Sequence, residues 1–195
     1  MNWKLIICVT LIGYGAYEHF SNVPITHSSG ILASQQPIQV ITNQSQFQLK
    51  TYTIKPLQSF EIEARVLSAT HYTFDQEADL APVDLALGWG QMSDESVLNQ
   101  IDITQTNRFY YWHVDSFPIP RKAIETSSAN MHMIPADSNV EKILKSIKAG
   151  QLVKISGYLV EATSGDGWHW KSSLTREDTG SGACELVYVK AIAIS

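Results

Sequence analysis

The chain has 195 residues, 44% of them hydrophobic and 17% charged, a composition that suits one globular domain with a sizeable core and is short for two. A formal net charge of -5 excludes the basic footprint that a nucleic-acid surface needs, so no nucleic-acid partner is expected. Two cysteines, Cys8 in the N-terminal apolar run and Cys184 alone in the remainder, exclude a disulfide within the folded part and any cysteine-based zinc site.

Residues 5–17 are almost unbroken in apolar character, with Lys4 before them and Trp3, Tyr17 and Phe20 flanking. The stretch from Trp3 to Phe20 would span roughly 27 Å as a helix, enough to cross a bilayer, with aromatics at both interfaces. No Lys or Arg follows Lys4 until Lys50, an asymmetry that leaves the N-terminus cytoplasmic and the rest outside. The expectation is an uncleaved transmembrane anchor over 1–20, single-pass in the cytoplasmic (inner) membrane with an extracytoplasmic C-terminal domain. Tyr14 and Tyr17 spoil the small-residue cleavage site of a signal peptide, the rival reading. Residues 21–36, rich in Ser, Gln and Pro, read as an extracytoplasmic linker, and 37–195 as a single globular β-rich domain.

A short strand is expected over 37–41, and a β-rich run over 47–54 that Pro56 closes. Residues 60–67 alternate apolar and charged positions, the mark of a half-buried strand. Asp75, Glu77, Asp79 and Asp84 lack the glycine and terminal glutamate of a calcium loop and read as a solvated acidic segment. Gly88-Trp89-Gly90 suggests a turn with the indole packed over backbone, either as a core plug or as a ligand platform. Residues 93–95 start a short helix. Residues 108–115 are strongly β-forming and apolar on both faces, which predicts a central strand buried on both sides. Proline-rich 117–120 ends it.

Ser138 with Glu141 three residues on reads as a capping box, followed by a buried stripe of Val140, Ile143, Leu144 and Ile147 and a left-handed stop at Gly150. A long strand over 151–161 carries Gly157 inside it, the sign of a bulge or sharp coil. A turn at 165–167 returns the chain through 168–173, and 184–194 is the last strand. These elements predict a mainly β (α+β) domain with one or two helices, β-barrel-like and possible as an OB-like barrel, behind the transmembrane helix.

Three segments carry a resemblance: Pro-Ile-Pro-Arg at 118–121, Ser-Ala-Asn-Met-His-Met-Ile-Pro-Ala at 128–136, and Ser-Ser-Leu-Thr-Arg-Glu-Asp-Thr-Gly-Ser-Gly-Ala-Cys-Glu-Leu at 172–186. Over most of 55–190 the chain resembles an uncharacterised family of bacterial single-anchor membrane proteins. The resemblance implies bacterial origin and nothing about chemistry.

No specific catalytic motif is present, and the reading that follows is a non-enzymatic, membrane-tethered binding or assembly module of the bacterial envelope, with an envelope protein or ligand as partner and no cofactor. Asn130, His132, Trp89 and Arg176 are its binding candidates. The alternative is a hydrolase or transpeptidase acting on cell-wall or peptide substrates, with Cys184 as nucleophile, His132 as base and Asp178 or Asn130 orienting the imidazole. Asp178-Thr179-Gly180-Ser181 imitates an aspartic-protease signature without the apolar strand that signature needs. His113, Asp115, His132 and His169 are metal-ligating types without metal-site spacing, so no metal is expected.

Overall fold

The computed structural model describes residues 3, 7–10, 23–74, 76–176 and 183–195. Most of the expected anchor lies outside the described residues, as does Asp178. Among the described residues no helix is long and apolar enough to cross a membrane.

The longest strand organises a mainly β domain. The strands in chain order are β1 (Ile38–Ile41), β2 (Phe47–Leu49), β3 (Tyr52–His71), β4 (Val83–Gly88), β5 (Asp102–Thr106), β6 (Phe109–His113), β7 (Ser128–Pro135), β8 (Leu152–Ser164), β9 (His169–Lys171) and β10 (Glu185–Ile194). Between them lie α1 (Gln76–Leu80), a 3-10 turn (Gly90–Ser93), α2 (Glu95–Leu98), α3 (Arg121–Thr126) and α4 (Ser138–Ser146). β3 pairs with β8 from Tyr52 to Arg65 and with β4 from Arg65 to His71, so one strand serves two neighbours in succession. β4 pairs with β7, β7 runs parallel to β10, and β10 pairs with β8. The ring therefore closes on itself.

Alternation along these strands fills the inside of the ring. Phe60, Ile62 and Ala64 point inward while Glu61 and Glu63 face water, as the sequence pattern implies. Leu85, Met131, Val153 and Val187 join them in one core cluster. Helix α4 adds Val140, Leu144 and Ile147 to that cluster. Its N-cap is Asp137 rather than Ser138: Asp137 Oδ1 accepts from the backbone of Asn139 and Val140 at 2.8 and 2.9 Å. A carboxylate one residue earlier meets the same orphan donors and also suits the helix dipole. Gly150 is not the helix stop either. The helix ends at Ser146, and Gly150, at φ +90°, turns the chain into β8 against the backbone of Ile25.

Pro56 does not close a strand. β3 runs through it, with a break in register between Pro56 and Gln58 that absorbs the missing N–H. The reversal comes earlier, at Lys50 (φ +54°) and Thr51, which split the expected 47–54 strand into β2 and the start of β3. At Gly157 the sequence signal holds. The register shift lies on the facing strand between Val189 and Ala191, and a Cβ on Gly157 would meet the Tyr188 carbonyl oxygen at 1.9 Å. Gly157→Ala is accordingly expected to destabilise the domain by about 1–3 kcal/mol, read as a lower urea midpoint with an unchanged slope.

The aromatic strand is the largest departure from expectation. β6 is not central; among the described residues it pairs only with β5, in a separate two-stranded ribbon, and exposed and half-buried residues alternate along both. One aromatic face, with Phe109 and Tyr111, stays open, while Trp112 and Ile103 pack on a small cluster of Met92, Ile101, Ile119 and Ile124. Two apolar faces do not require two covering layers when one of them lines a cleft. Asn107 and Arg108, at φ +50° and +64°, form the tight tip that such a ribbon needs.

The expected linker at 21–36 is fastened down along its described part. Ile25 N–H donates to Ala149 O at 2.9 Å, and His27 N–H to Glu95 Oε2 at 2.8 Å. Leu32 and Ala33 donate to Ser93 Oγ. Glu95 is in turn paired with the buried Arg65 at 2.5 Å.

Candidate functional site

Strand β4 sets Asp84 directly across from His132 on β7, and β10 sets Leu186 on the other side of His132, two residues after Cys184. Val83, Leu85, Met131 and Met133 belong to the inner core, so alternation turns Asp84, Asn130 and His132 to the outer wall of the ring. That wall is covered here. Trp170 of β9 packs over the imidazole with ring centroids 4.6 Å apart, and the guanidinium at the ribbon tip, Arg108, lies across Tyr72 at 4.0 Å. Asp84 is 0%, His132 3% and Asn130 5% exposed.

The buried charges face one another. Asp84 Oδ1 accepts from Arg108 Nη1 at 3.0 Å and lies 2.9 Å from His132 Nδ1, an ion-pair approach whose angle falls short of a straight hydrogen bond. Arg108 also donates to Ala81 O. Its carbonyl accepts from Asn130 Nδ2 at 3.0 Å and receives Cys184 Sγ at 3.9 Å. Asn130 is fixed from its other side by Gln105 Nε2 at 2.6 Å, and its Nδ2 stands 3.9 Å from Cys184 Sγ. Burial works against a charge on His132, but its interactions with Asp84 and Cys184 outweigh burial and hold the imidazole's pKa up to about 9. At neutral pH the ring is a cation between a carboxylate and a sulfur.

Cys184 is half-buried just ahead of β10, and so is not the buried opening residue of a core strand. It lies in the wall of a cleft of about 610 Å³ between the ribbon and β7, together with Tyr111, Trp112, Phe117, Asn130 and Glu185.

The structure thus brings together His132, Cys184 and Asn130. Asp84 takes the orienting place behind the imidazole, and Asp178 lies outside the described residues. Arg176 is at the cleft but engaged, paired with Glu185 and donating through Nε and Nη2 to Gln39 Oε1 at 3.0 and 2.5 Å. Trp89, 1% exposed in the main core, is a plug and offers no ligand platform. The acidic segment is not uniformly solvated: Asp79 is exposed with Lys50, whereas Asp84 is fully buried. His113 contacts Asp115 and His169 contacts Glu161, both on exposed surface. Among the described residues no three potential metal ligands converge.

The sequence reading gave Asp84, Arg108 and Glu185 no place in a site. Asp84 alone left a signal, since a single carboxylate inside Pro-Val-Asp-Leu-Ala-Leu has no reason to be there unless a buried cation meets it. No protein-family model, curated protein or solved structure matches the chain.

Proposed function

We propose that the protein is a thiol-dependent hydrolase or acyltransferase on a barrel of the oligonucleotide-binding type, acting on peptide or cell-wall substrates outside the cytoplasmic membrane. The observation that carries this reading is the imidazole of His132 held between Asp84 and Cys184, with the sulfur on a cleft. An imidazolium beside a sulfur stabilises the anionic nucleophile, and a carboxylate behind the ring fixes its orientation. The barrel type rests on the ring order. Counting the ring strands along the chain, the first, second, third, fifth and fourth are neighbours in turn, and α4 joins the third to the fourth. The outer face of the second and third strands is where such barrels bind ligands, and it carries Asp84 and His132. The N-terminal apolar run and the absence of Lys and Arg between Lys4 and Lys50 support the membrane-tethered, extracytoplasmic setting.

In this reading the Cys184 thiolate attacks a carbonyl carbon, and the developing oxyanion is met by Asn130 Nδ2. The tetrahedral adduct then collapses: the bond to the leaving nitrogen breaks, its electron pair stays on nitrogen, and His132 gives that nitrogen its proton. Water, or an acceptor amine in transfer, attacks the thioester and yields a proton to His132, and the sulfur leaves as the thiolate.

Iodoacetamide alkylation of Cys184, in a Cys8→Ser background at pH 7.5, tests the nucleophile. His132→Gln is expected to slow the reaction by about tenfold or more. A rate no faster than that of free cysteine, unchanged by His132→Gln, would remove the enzymatic reading. It would leave the second one, a non-enzymatic envelope-binding module, which the open aromatic face of the ribbon favours.

A further inference from the structure

The ribbon places one of its own peptide groups where the proposed chemistry needs the substrate. Asn130 Nδ2, the donor assigned to the oxyanion, gives its hydrogen bond to Arg108 O at 3.0 Å. Cys184 Sγ reaches that same carbonyl oxygen at 3.9 Å. The side chain of Arg108 is seated as well. Its Nη1 donates to Asp84 Oδ1 and to Ala81 O, each at 3.0 Å, and the guanidinium lies across the Tyr72 ring at 4.0 Å. Carboxylate, carbonyl and aromatic face together make a pocket for a cation. Among the described residues the ribbon pairs with no strand of the ring. Its base packs on the apolar cluster around Ile119 and Ile124, whereas its tip is held by polar contacts such as Gln105 Nε2 to Asn130 Oδ1 at 2.6 Å. Contacts of that kind contribute little net stability, because water or a ligand can replace them.

We propose that the ribbon tip is a built-in stand-in for the substrate, and that the ligand which displaces it is a peptide whose carbonyl-bearing residue is basic. This rests on the reading of Cys184 as nucleophile. The incoming carbonyl takes the place of Arg108 O beside Asn130 and Cys184, and the incoming cation takes the place of the guanidinium against Asp84. Asp84 thereby sets the specificity. It is 0% exposed, so a neutral side chain in that place would leave the buried carboxylate facing His132 without its second cation. With the tip in place the site is autoinhibited.

Acetyl-argininamide and its neutral counterpart acetyl-norleucinamide test the pocket, by chemical-shift titration of the Cys8→Ser protein. Arg108→Ala, which empties the pocket, should bind the arginine compound about tenfold more tightly than the parent does and gain nothing for norleucine. No gain for arginine, or an equal gain for both, would overturn the inference. Acetyl-arginyl chloromethyl ketone tests the alignment of the pocket with the sulfur. Its alkylation of Cys184 should rise about tenfold from parent to Arg108→Ala. That by iodoacetamide, small enough to reach the half-buried sulfur past the tip, should change little. An equal change for the two reagents would also overturn the inference. If Arg108→Ala does not fold, Gln105→Ala, which frees the tip at Asn130 and leaves Asp84 untouched, replaces it in both measurements. A gain confined to the arginine compounds then supports the inference, and an absent or equal gain overturns it. If iodoacetamide reacts with none of these proteins faster than with free cysteine, the nucleophile reading falls alone, and the titration still decides the pocket.

Discussion

Asp84→Ala is expected to lower the stability of the domain by about 3–5 kcal/mol, the cost of leaving buried charge without its counterion. Asp84 is 0% exposed and answers both the Arg108 guanidinium and the His132 imidazole, so its loss takes a carboxylate from two groups at once. Arg108 cannot shed its proton, and it also donates to the Ala81 carbonyl. His132 can. With the carboxylate gone, burial pushes the ring toward its neutral form, and a proton-detected titration of the His132 ring should show the pKa falling below its present value of about 9. Urea denaturation measures the stability loss. A change under about 1 kcal/mol would mean that the site relaxes open to water and that Asp84 is not the keystone described above. Asp84→Asn keeps the shape and separates the two roles: it should recover part of the stability and little of the Cys184 reactivity.

Alkaline pH should destabilise the protein through His132. The group's ordinary value is 6.5, and in the folded state it is held at about 9. A raised pKa means that the folded state holds the proton more tightly than the unfolded chain does. The stabilisation is therefore fully present below pH 6.5 and is lost as pH rises from there through 9, amounting to about 3 kcal/mol in all. Urea midpoints at intervals from pH 6 to pH 9.5 should fall across that window in the parent and stay nearly flat in His132→Gln. A parent profile as flat as the variant's would show that the ring is neutral in the fold, and the imidazolium beside Cys184 would go with it.

The part of this architecture that is legible in sequence is the part set by near neighbours. The alternation at 60–67 marks an inward-facing strand because successive side chains leave a strand on opposite sides, and Phe60, Ile62 and Ala64 are found inside. Of the stripe Val140, Ile143, Leu144 and Ile147, all but the half-buried Ile143 join the core, because a helix returns to the same face every three or four residues. Gly157 marks a close approach because only glycine has no Cβ to place against a neighbouring carbonyl. His132, Asn130 and Cys184 stand out as residue types, since their chemistry is written in the side chain itself.

Partnership is what the linear chain leaves open. The same period-2 pattern that identifies β6 as a strand is satisfied equally by a central strand and by an open ribbon, and the choice falls to pairing with β5 and to the cleft on its far side. Asp84 reads as one more acidic residue until the β4–β7 register sets it opposite His132. Arg108 reads as the edge of an aromatic strand until two positive φ angles turn it back over Asp84. Composition and periodicity therefore determined a β-rich domain with one or two helices and a short list of side chains of reactive type. The closed ring and the buried Asp84–His132 pair beside half-buried Cys184 were decided by tertiary structure, because each depends on which strands lie side by side, and that register is set by long-range burial and pairing.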